Sequence, residues 1–239
     1  MNENDPPSSV YSSPETTNAG ATPPSVSSSP PSAPEFTLFC NAFPFTPMGP
    51  HDKVQELIES YLPPRERAYS LAEAYVEGAA WLFRPVSKEQ LMDEMLPAIY
   101  ARVEARALDP SEASHVQGHY QVPYSGPHDL ALLLMVFAVG CQVDLTQEAF
   151  NADAVHYYSL ARAAICLQNV FDEPELATIQ ALHLMSIFNA MNQPDTNQDG
   201  GEADTSMEMS WSLIRLSHQL AQTVSKLVFL SQTVLTILY

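Results

Sequence analysis

Basic side chains are scarce in this sequence. Its 239 residues contain 28 Asp and Glu but only 10 Lys and Arg, which gives a formal net charge of −18. The deficit extends along the chain: residues 1–50 have four carboxylates and no basic side chain, and residues 51–239 have 24 carboxylates. Proteins that hold nucleic acid neutralise its phosphates with clustered Lys and Arg. The composition therefore argues against direct binding of DNA by these residues.

Cysteine, glycine and long apolar runs are also few. The three cysteines, Cys40, Cys141 and Cys166, include no CxxC pair, so neither a disulfide framework nor a zinc cluster is indicated. The eight glycines form neither a GxGxxG turn nor a phosphate loop. The longest apolar run, 130–139, is about half of the roughly 20 residues that a bilayer-spanning helix needs. We interpret it as a buried core helix and expect no membrane partner.

Proline and serine dominate the beginning of the chain. Residues 1–50 contain 11 of the 20 prolines. Up to about Pro34 there are too few apolar side chains to offset the entropy of ordering the backbone, so disorder is predicted there. An aromatic patch follows, consisting of Phe36, Leu38, Phe39, Phe43 and Phe45. Its aromatics fit either a docking or activation motif or a linker whose rings rest on the domain. We treat residues 1–50 as a disordered lead.

Helical spacing of apolar residues begins at His51. Val54, Leu57, Ile58 and Tyr61 share one face of a first helix, which Pro63 and Pro64 end. Further helices are predicted at 65–83, 87–107, 127–142 and 147–168, and two more are predicted to start at the capping-box residues Asp172 and Thr205. Pro97 predicts a kink, and the apolar 127–142 helix is predicted to be central. No strand alternation is present, so we predict an all-α multi-helix bundle or array.

Motifs for metal binding are incomplete. Asp195 to Gly200 matches the start of an EF-hand loop, but position twelve is Ser206 instead of a bidentate Glu. His115 and His119 are four residues apart and His128 is close in sequence, but Gly118 lies between the first two and no HExxH glutamate accompanies them. We interpret the three as residues of a solvated loop, with a zinc site as the alternative. No metal-ligating residue is therefore assigned, and no cofactor is expected in this chain.

Catalytic signatures are missing as well. The chain has no GxSxG elbow, and Cys141 and Cys166 stand in apolar helical contexts typical of inert thiols. Asp93 and Glu94 form only a pair, not the aspartate-rich cluster of terpenoid synthases. His156, His183 and His218 are irregularly spaced and are interpreted as helix-surface or hydrogen-bonded core residues. We assign no catalytic or cofactor-binding residue and expect a protein that is not an enzyme.

Three stretches together carry a family resemblance. They are Trp81 to Val86, His156 to Arg162 leading to Leu176–Leu182, and Ser206 to Trp211 followed by Leu220–Thr223. In this order and spacing they resemble the fungal-specific transcription factor domain. This domain is the regulatory middle region of Zn2Cys6 zinc-cluster activators, also called the xylanolytic activator regulatory domain. The resemblance covers about residues 51–223.

The resemblance implies a nuclear, all-α domain that modulates transcription through co-regulator proteins or a small-molecule effector. In the family, six cysteines hold two zinc ions and place a basic segment on DNA. With three scattered cysteines, zinc and DNA binding belong to no residue here, and we expect them of a zinc-cluster domain that this chain lacks. The alternative is a non-enzymatic helical interaction or scaffold module, or an inactive fragment of such a factor.

We interpret the matched residues as core residues in preference to residues that line a pocket. Trp81, Tyr157 and Trp211 lie on predicted apolar stripes, which more often pack inside a domain than line a site. If a pocket exists, Met135, Phe137 and Met185 around the 127–142 helix are where it is expected. The effector-binding residues and the oligomeric state are left unassigned.

The last segment, 224–239, departs from the family pattern. Val224 and Ser225 are what the intron start GTAAGT encodes in frame, and no charge follows Lys226. We expect a translated intron there, after a regulatory domain that is partial at its C-terminus; a genuine C-terminal helix is the alternative. A translated intron has no evolved partner for its apolar residues, so aggregation is expected. Sequencing cDNA across the Thr223 codon distinguishes the two.

Overall fold

The fold is helical wherever the structure describes it. The computed structural model describes residues 33–81, 84–108, 124–146, 151–172, 174–192 and 202–238. Within these ranges it contains eight α-helices, one π-helical turn and no strand, which confirms the all-α prediction. The helices are α1 (Pro34–Ala42), α2 (His51–Ser60), α3 (Arg65–Gly78), α4 (Leu96–Leu108), α5 (Pro127–Val143), α6 (Ala152–Ile165), α7 (Leu176–Met191) and α8 (Glu202–Leu238).

Helix α5 forms the centre of the array. It packs against α3, α6 and α7, and every residue from Leu130 to Cys141 is buried. A helix that is apolar on all sides is stable only when other elements surround it. The prediction of a central helix at 127–142 is therefore confirmed. None of the described helices combines the length and the apolar character needed to span a bilayer.

A glycine allows α3 to approach α5 closely. A Cβ atom added at Gly140 would overlap the backbone carbonyl oxygen of Leu71 in α3. Backbone atoms cannot move aside as a flexible side chain can, so only a residue without a side chain fits at this crossing. The crossing holds α3 against the middle of the core.

The N-terminal aromatic patch belongs to the helical domain. Phe36 and Phe39 in α1 are 3% and 0% exposed, and α1 packs against α6. Placing residues 33–50 in a disordered lead was therefore wrong, and of the two readings the one in which the aromatics rest on the domain is correct. Burial of the two phenylalanine rings provides the stabilisation that the Ser/Pro-rich sequence nearby cannot provide, because each ring removes a large apolar area from water. Residues 1–32 lie outside the described residues.

Pro97 is accommodated by a wide turn just before it. The backbone between Gln90 and Met95 is π-helical, and the Leu96 N–H donates to the Leu91 carbonyl, five residues back. Proline has no N–H, and its ring crowds the preceding turn of an α-helix. A π-turn relieves this conflict without ending the helix. The predicted kink therefore takes the form of a change in helix type.

The predicted boundaries of four helices were wrong. Helix α6 runs from Ala152 to Ile165 instead of over 147–168, because Asn151 caps its start and Cys166 its end. Helix α3 ends at Gly78 instead of residue 83, and α8 begins at Glu202 instead of Thr205. Helix α7 begins at Leu176, with Glu175 as its N-cap, so Asp172 lies outside it. Overlapping capping patterns explain the last error, because Glu175 is spaced three residues from both Asp172 and Thr178.

Candidate functional site

A polar junction, buried at His128 and Thr178, lies where α5 and α7 begin. We define the junction as His128 and Asp129 in the first turn of α5 together with Glu175 and Thr178 at the start of α7. The side chains of His128 and Thr178, fifty positions apart in sequence, meet with Nδ1 and Oγ1 separated by 2.7 Å. Both residues are 0% exposed. The junction thus fixes the first turns of α5 and α7 relative to each other.

The partners of His128 determine its tautomer. Its Nε2 lies 3.1 Å from the Ile165 carbonyl oxygen and 3.2 Å from that of Gln168. Carbonyl oxygens only accept, so Nε2 carries the proton, and Nδ1 accepts from the Thr178 hydroxyl. Burial lowers the pKa of His128, although the two carbonyls and Asp129 oppose the shift. The ring is therefore neutral, and the interpretation of His128 as a solvated-loop residue was wrong.

Side-chain acceptors at the third position of each helix complete the junction. The Gly126 N–H donates to Asp129 Oδ2 at 3.0 Å, and the Glu175 N–H donates to Thr178 Oγ1 at 3.2 Å. Each bond satisfies a backbone donor that the start of a helix leaves unpaired. Burial raises the pKa of Asp129, while the Gly126 N–H and the Arg102 guanidinium counteract that rise. The Gly126 and Glu175 N–H groups are already bonded within the protein, where they help to hold the helix starts. We therefore assign no ligand to the junction.

A buried ion-pair cluster ties α2 to α4. The carboxylate of Glu59 accepts from Arg106 at 2.6 Å, from Arg102 at 3.3 Å and from the Gln55 amide at 2.9 Å. Its side chain is only 4% exposed. Arg102 also donates to the Tyr124 carbonyl at 3.1 Å, which connects the cluster to the segment before α5. The buried carboxylate of Glu59 depends on these cations, because removing them would leave its charge unpaired inside the protein.

His156 in α6 is the polar exception in the core. It is 4% exposed, and within the described part of the chain neither ring nitrogen has a hydrogen-bond partner. Its ring lies beside Tyr61 and Tyr157, with centroid distances of 5.4 and 5.6 Å. Burial lowers its pKa, against a smaller opposing effect of Asp153. The interpretation of His156 as a surface or hydrogen-bonded core residue was therefore wrong.

The two tryptophans of the matched stretches are exposed. Trp81 is 75% and Trp211 is 61% exposed, while Tyr157 and Ala161 are buried. Trp81 follows the end of α3, and its Nε1 donates to the Gly78 carbonyl at 3.0 Å. The core interpretation is thus confirmed for Tyr157 and wrong for both tryptophans.

The residues proposed for a pocket belong to the packed core. Met135, Phe137 and Met185 are each 0% exposed, and Phe137 packs edge-on against Tyr157. Cys141 and Cys166 are buried too, and burial raises the pKa of each thiol to about 12. Such thiols are protonated at neutral pH and are poor nucleophiles.

Most of the sequence motifs that suggest a metal site lie outside the residues that the structure describes. His115, His119 and Asp195 to Gly200 lie outside the described residues. In the described ranges, no three His, Cys, Asp or Glu side chains form a group that would hold a metal ion. Of the Asp93–Glu94 pair, Glu94 accepts a hydrogen bond from the Tyr124 hydroxyl.

No family model, curated protein or solved structure matches this chain. The described polar groups therefore have to be judged by their own geometry. The His128 ring is occupied on both nitrogens, and Glu59 is neutralised by two arginines. Both arrangements hold helices together, and the Thr178 hydroxyl that donates to His128 is fully buried, where no substrate can reach it. Sequence reasoning missed them because their partners are far apart along the chain, where no local spacing signals the contact.

Proposed function

We propose that this chain is the regulatory region of a fungal zinc-cluster transcription factor, which acts in the nucleus and modulates transcription without contacting DNA itself. Zinc and DNA binding are the task of a zinc-cluster domain that these residues do not contain. Its partners are co-regulator proteins or a small-molecule effector. An interaction or scaffold module without a role in transcription is the competing function.

The observation that carries the proposal is the placement of the resembling stretches. His156 to Arg162 lies in α6, Leu176–Leu182 opens α7, and Ser206 to Trp211 lies in α8. Helices α6 and α7 both pack on α5, and α8 packs on α7. Stretches that are far apart in sequence thus belong to one helical array. This packing is what a shared domain pattern requires.

Charge and surface chemistry add support. A net charge of −18 suits a module that binds proteins while another domain binds DNA. The exposed rings of Trp81 and Trp211 are of the type enriched at protein interfaces. Both features are also compatible with a scaffold, so the test has to measure transcription.

A tethered reporter assay tests the proposal. The full chain is fused to an unrelated zinc-cluster DNA-binding domain in a fungal host with a matching reporter gene, and a fluorescent tag reports nuclear entry. We expect the fusion to change reporter output severalfold relative to the DNA-binding domain alone. Leu134→Asp, which places a charge at a fully buried position of α5, is expected to abolish the change. A folded, nuclear fusion that leaves the reporter unchanged would overturn the proposal and favour the scaffold.

A further inference from the structure

The side of α8 next to its contact with α7 exposes apolar side chains. Helix α8 packs on α7, and the Ser217 hydroxyl donates to the Ile179 carbonyl at 3.2 Å, so the side of α8 that contains Ser217 faces α7. Met207, Trp211 and Ile214 are 43%, 61% and 40% exposed. Spacings of four and three residues place these three side chains in one stripe of the helix. A stripe of exposed apolar side chains is typical of a protein-binding surface.

The charge around this stripe is opposite in sign to that of the whole chain. None of the 28 Asp and Glu side chains lies in α7 or between residues 209 and 226 of α8. Arg215 and Lys226 are the Lys and Arg side chains of these two stretches, and both are exposed. Within the described ranges neither forms an ion pair. Glu208 borders this positively charged layer, which belongs to a chain with a net charge of −18.

The apolar and the basic side chains share one side of α8. Trp211 and Arg215 are four residues apart, which makes them neighbours on the helix surface. Lys226 follows Arg215 by eleven residues, which is close to three full turns, so it lies on the same side about 16 Å farther along the axis. We call Met207, Trp211, Ile214, Arg215 and Lys226 the outer face of α8. A matching ligand has apolar anchors at one end and negative charges over about three turns.

We propose that the outer face of α8 binds an acidic amphipathic helix of a partner protein. Apolar side chains of the partner pack on Trp211 and Ile214, and its carboxylates pair with Arg215 and Lys226. The net charge of −18 opposes an acidic partner over most of the molecule and leaves this layer as the place where it is attracted. The inference rests on the proposed function in one respect, since the partner is the co-regulator named there.

Two other occupants match these charges less well. A second copy of the chain, related by a two-fold axis, would place the outer face against itself and oppose cations with cations. Nucleic acid requires clustered cations to neutralise its phosphates, and Arg215 and Lys226 are two cations about 16 Å apart. An acidic helix satisfies both the exposed apolar stripe and the unpaired cations.

Fluorescence anisotropy with the full chain and a labelled synthetic peptide tests the proposal. The peptide has about four helical turns, with Leu and Phe on one face and Asp and Glu on the other. We expect it to bind with a micromolar Kd that rises as salt is added, because salt screens the ion pairs. The same peptide with Asn and Gln in place of Asp and Glu is expected to bind about tenfold more weakly.

Two charge reversals of equal size locate the binding site. Arg215→Glu replaces a cation of the outer face with a carboxylate and is expected to weaken binding about tenfold. Lys53→Glu changes the net charge by the same amount at an exposed position of α2 and is the matched control, with a Kd within about twofold of the original. Trp211→Ala removes the largest apolar anchor and is expected to weaken binding about tenfold as well. Circular dichroism establishes that the three variants keep the original helical content.

Three results would overturn the proposal. They are a lack of binding at high micromolar chain concentration, equal binding of the acidic and the neutral peptide, and equal losses from Arg215→Glu and Lys53→Glu. Displacement of the labelled peptide by a synthetic copy of residues 1–32 would assign the outer face to the acidic beginning of the chain itself and would contradict a partner protein. The titration involves no transcription, so these results would leave the proposed function to the reporter assay.

Discussion

At the scale of single residues, two buried histidines differ in their hydrogen bonding. His128 is bonded through both nitrogens, and His156 through neither within the described chain. A buried polar group stabilises a protein only when it is paired, and it costs free energy when it is not. The same substitution should therefore cost much more free energy at His128 than at His156.

Replacing each histidine with phenylalanine tests this difference. His128→Phe leaves the Thr178 hydroxyl and two carbonyls without their partner, so we expect a loss of about 2–3 kcal/mol in the free energy of unfolding. His156→Phe keeps the ring and removes two unpaired nitrogens, so we expect a change within about 1 kcal/mol or a gain. Urea denaturation at pH 7 measures both. Equal losses in the two variants would contradict the assigned hydrogen bonding.

The histidines also predict how stability depends on pH. Burial lowers the pKa of His128, His156 and His183 in the folded chain, whereas a histidine in the unfolded chain titrates near 6.5. As the pH falls through about 6.5, the unfolded chain takes up protons that the folded chain does not, so stability decreases. The decrease between pH 7 and pH 5 should be shallower for His156→Phe. Parallel pH profiles would show that His156 titrates alike in both states.

At the scale of helices, the crossing of α3 and α5 depends on Gly140. Replacing glycine by alanine inside a helix normally stabilises it by about 0.5–1 kcal/mol. Here the added methyl group overlaps the Leu71 carbonyl, so we expect Gly140→Ala to cost about 3 kcal/mol. Gly126→Ala is the control, because its Cβ meets no atom closer than 3.4 Å, and a cost of at most about 1 kcal/mol is expected. Thermal denaturation compares them, and a stabilised Gly140→Ala would refute the close crossing.

The attachment of α2 to α4 is expected to depend on burial of its ion pairs. Glu59→Ala leaves two arginines without their carboxylate, and we expect it to cost about 3–5 kcal/mol. Glu104→Ala breaks the Arg65–Glu104 pair, whose side chains are 48% and 59% exposed, and should cost no more than about 1 kcal/mol. Chemical denaturation of both variants checks the contrast. Similar small losses would mean that Glu59 is hydrated in solution.

Which elements the sequence predicts depends on how local their signal is. Helix α5 is recognisable because its whole surface is apolar, which only a central position explains. The start of α7 was misplaced because one glutamate satisfies two capping patterns. The exposure of Trp81 and Trp211 was missed because apolar spacing does not tell which face a neighbour covers. The contact of His128 with Thr178 depends on the packing of α5 against α7, for which no local pattern exists.

At the scale of the whole molecule, the strongly acidic composition separates the proposed regulatory role from DNA binding. The described helices supply a core built around α5, and their surface belongs to a chain of net charge −18. Such a chain lacks the clustered cations that would attract a phosphate backbone. We therefore expect it to act on transcription through other molecules, while DNA is bound elsewhere in the family's architecture.

The measurement that tests this central claim most directly is a fluorescence-anisotropy titration of labelled duplexes with the full chain at physiological salt. Random and CGG-containing duplexes are titrated in parallel, and the series is repeated at lower salt. The account predicts no increase in anisotropy at micromolar chain concentration, because no cluster of Lys and Arg is present to release counterions. Binding at micromolar or lower concentration that weakens as salt is added would contradict it.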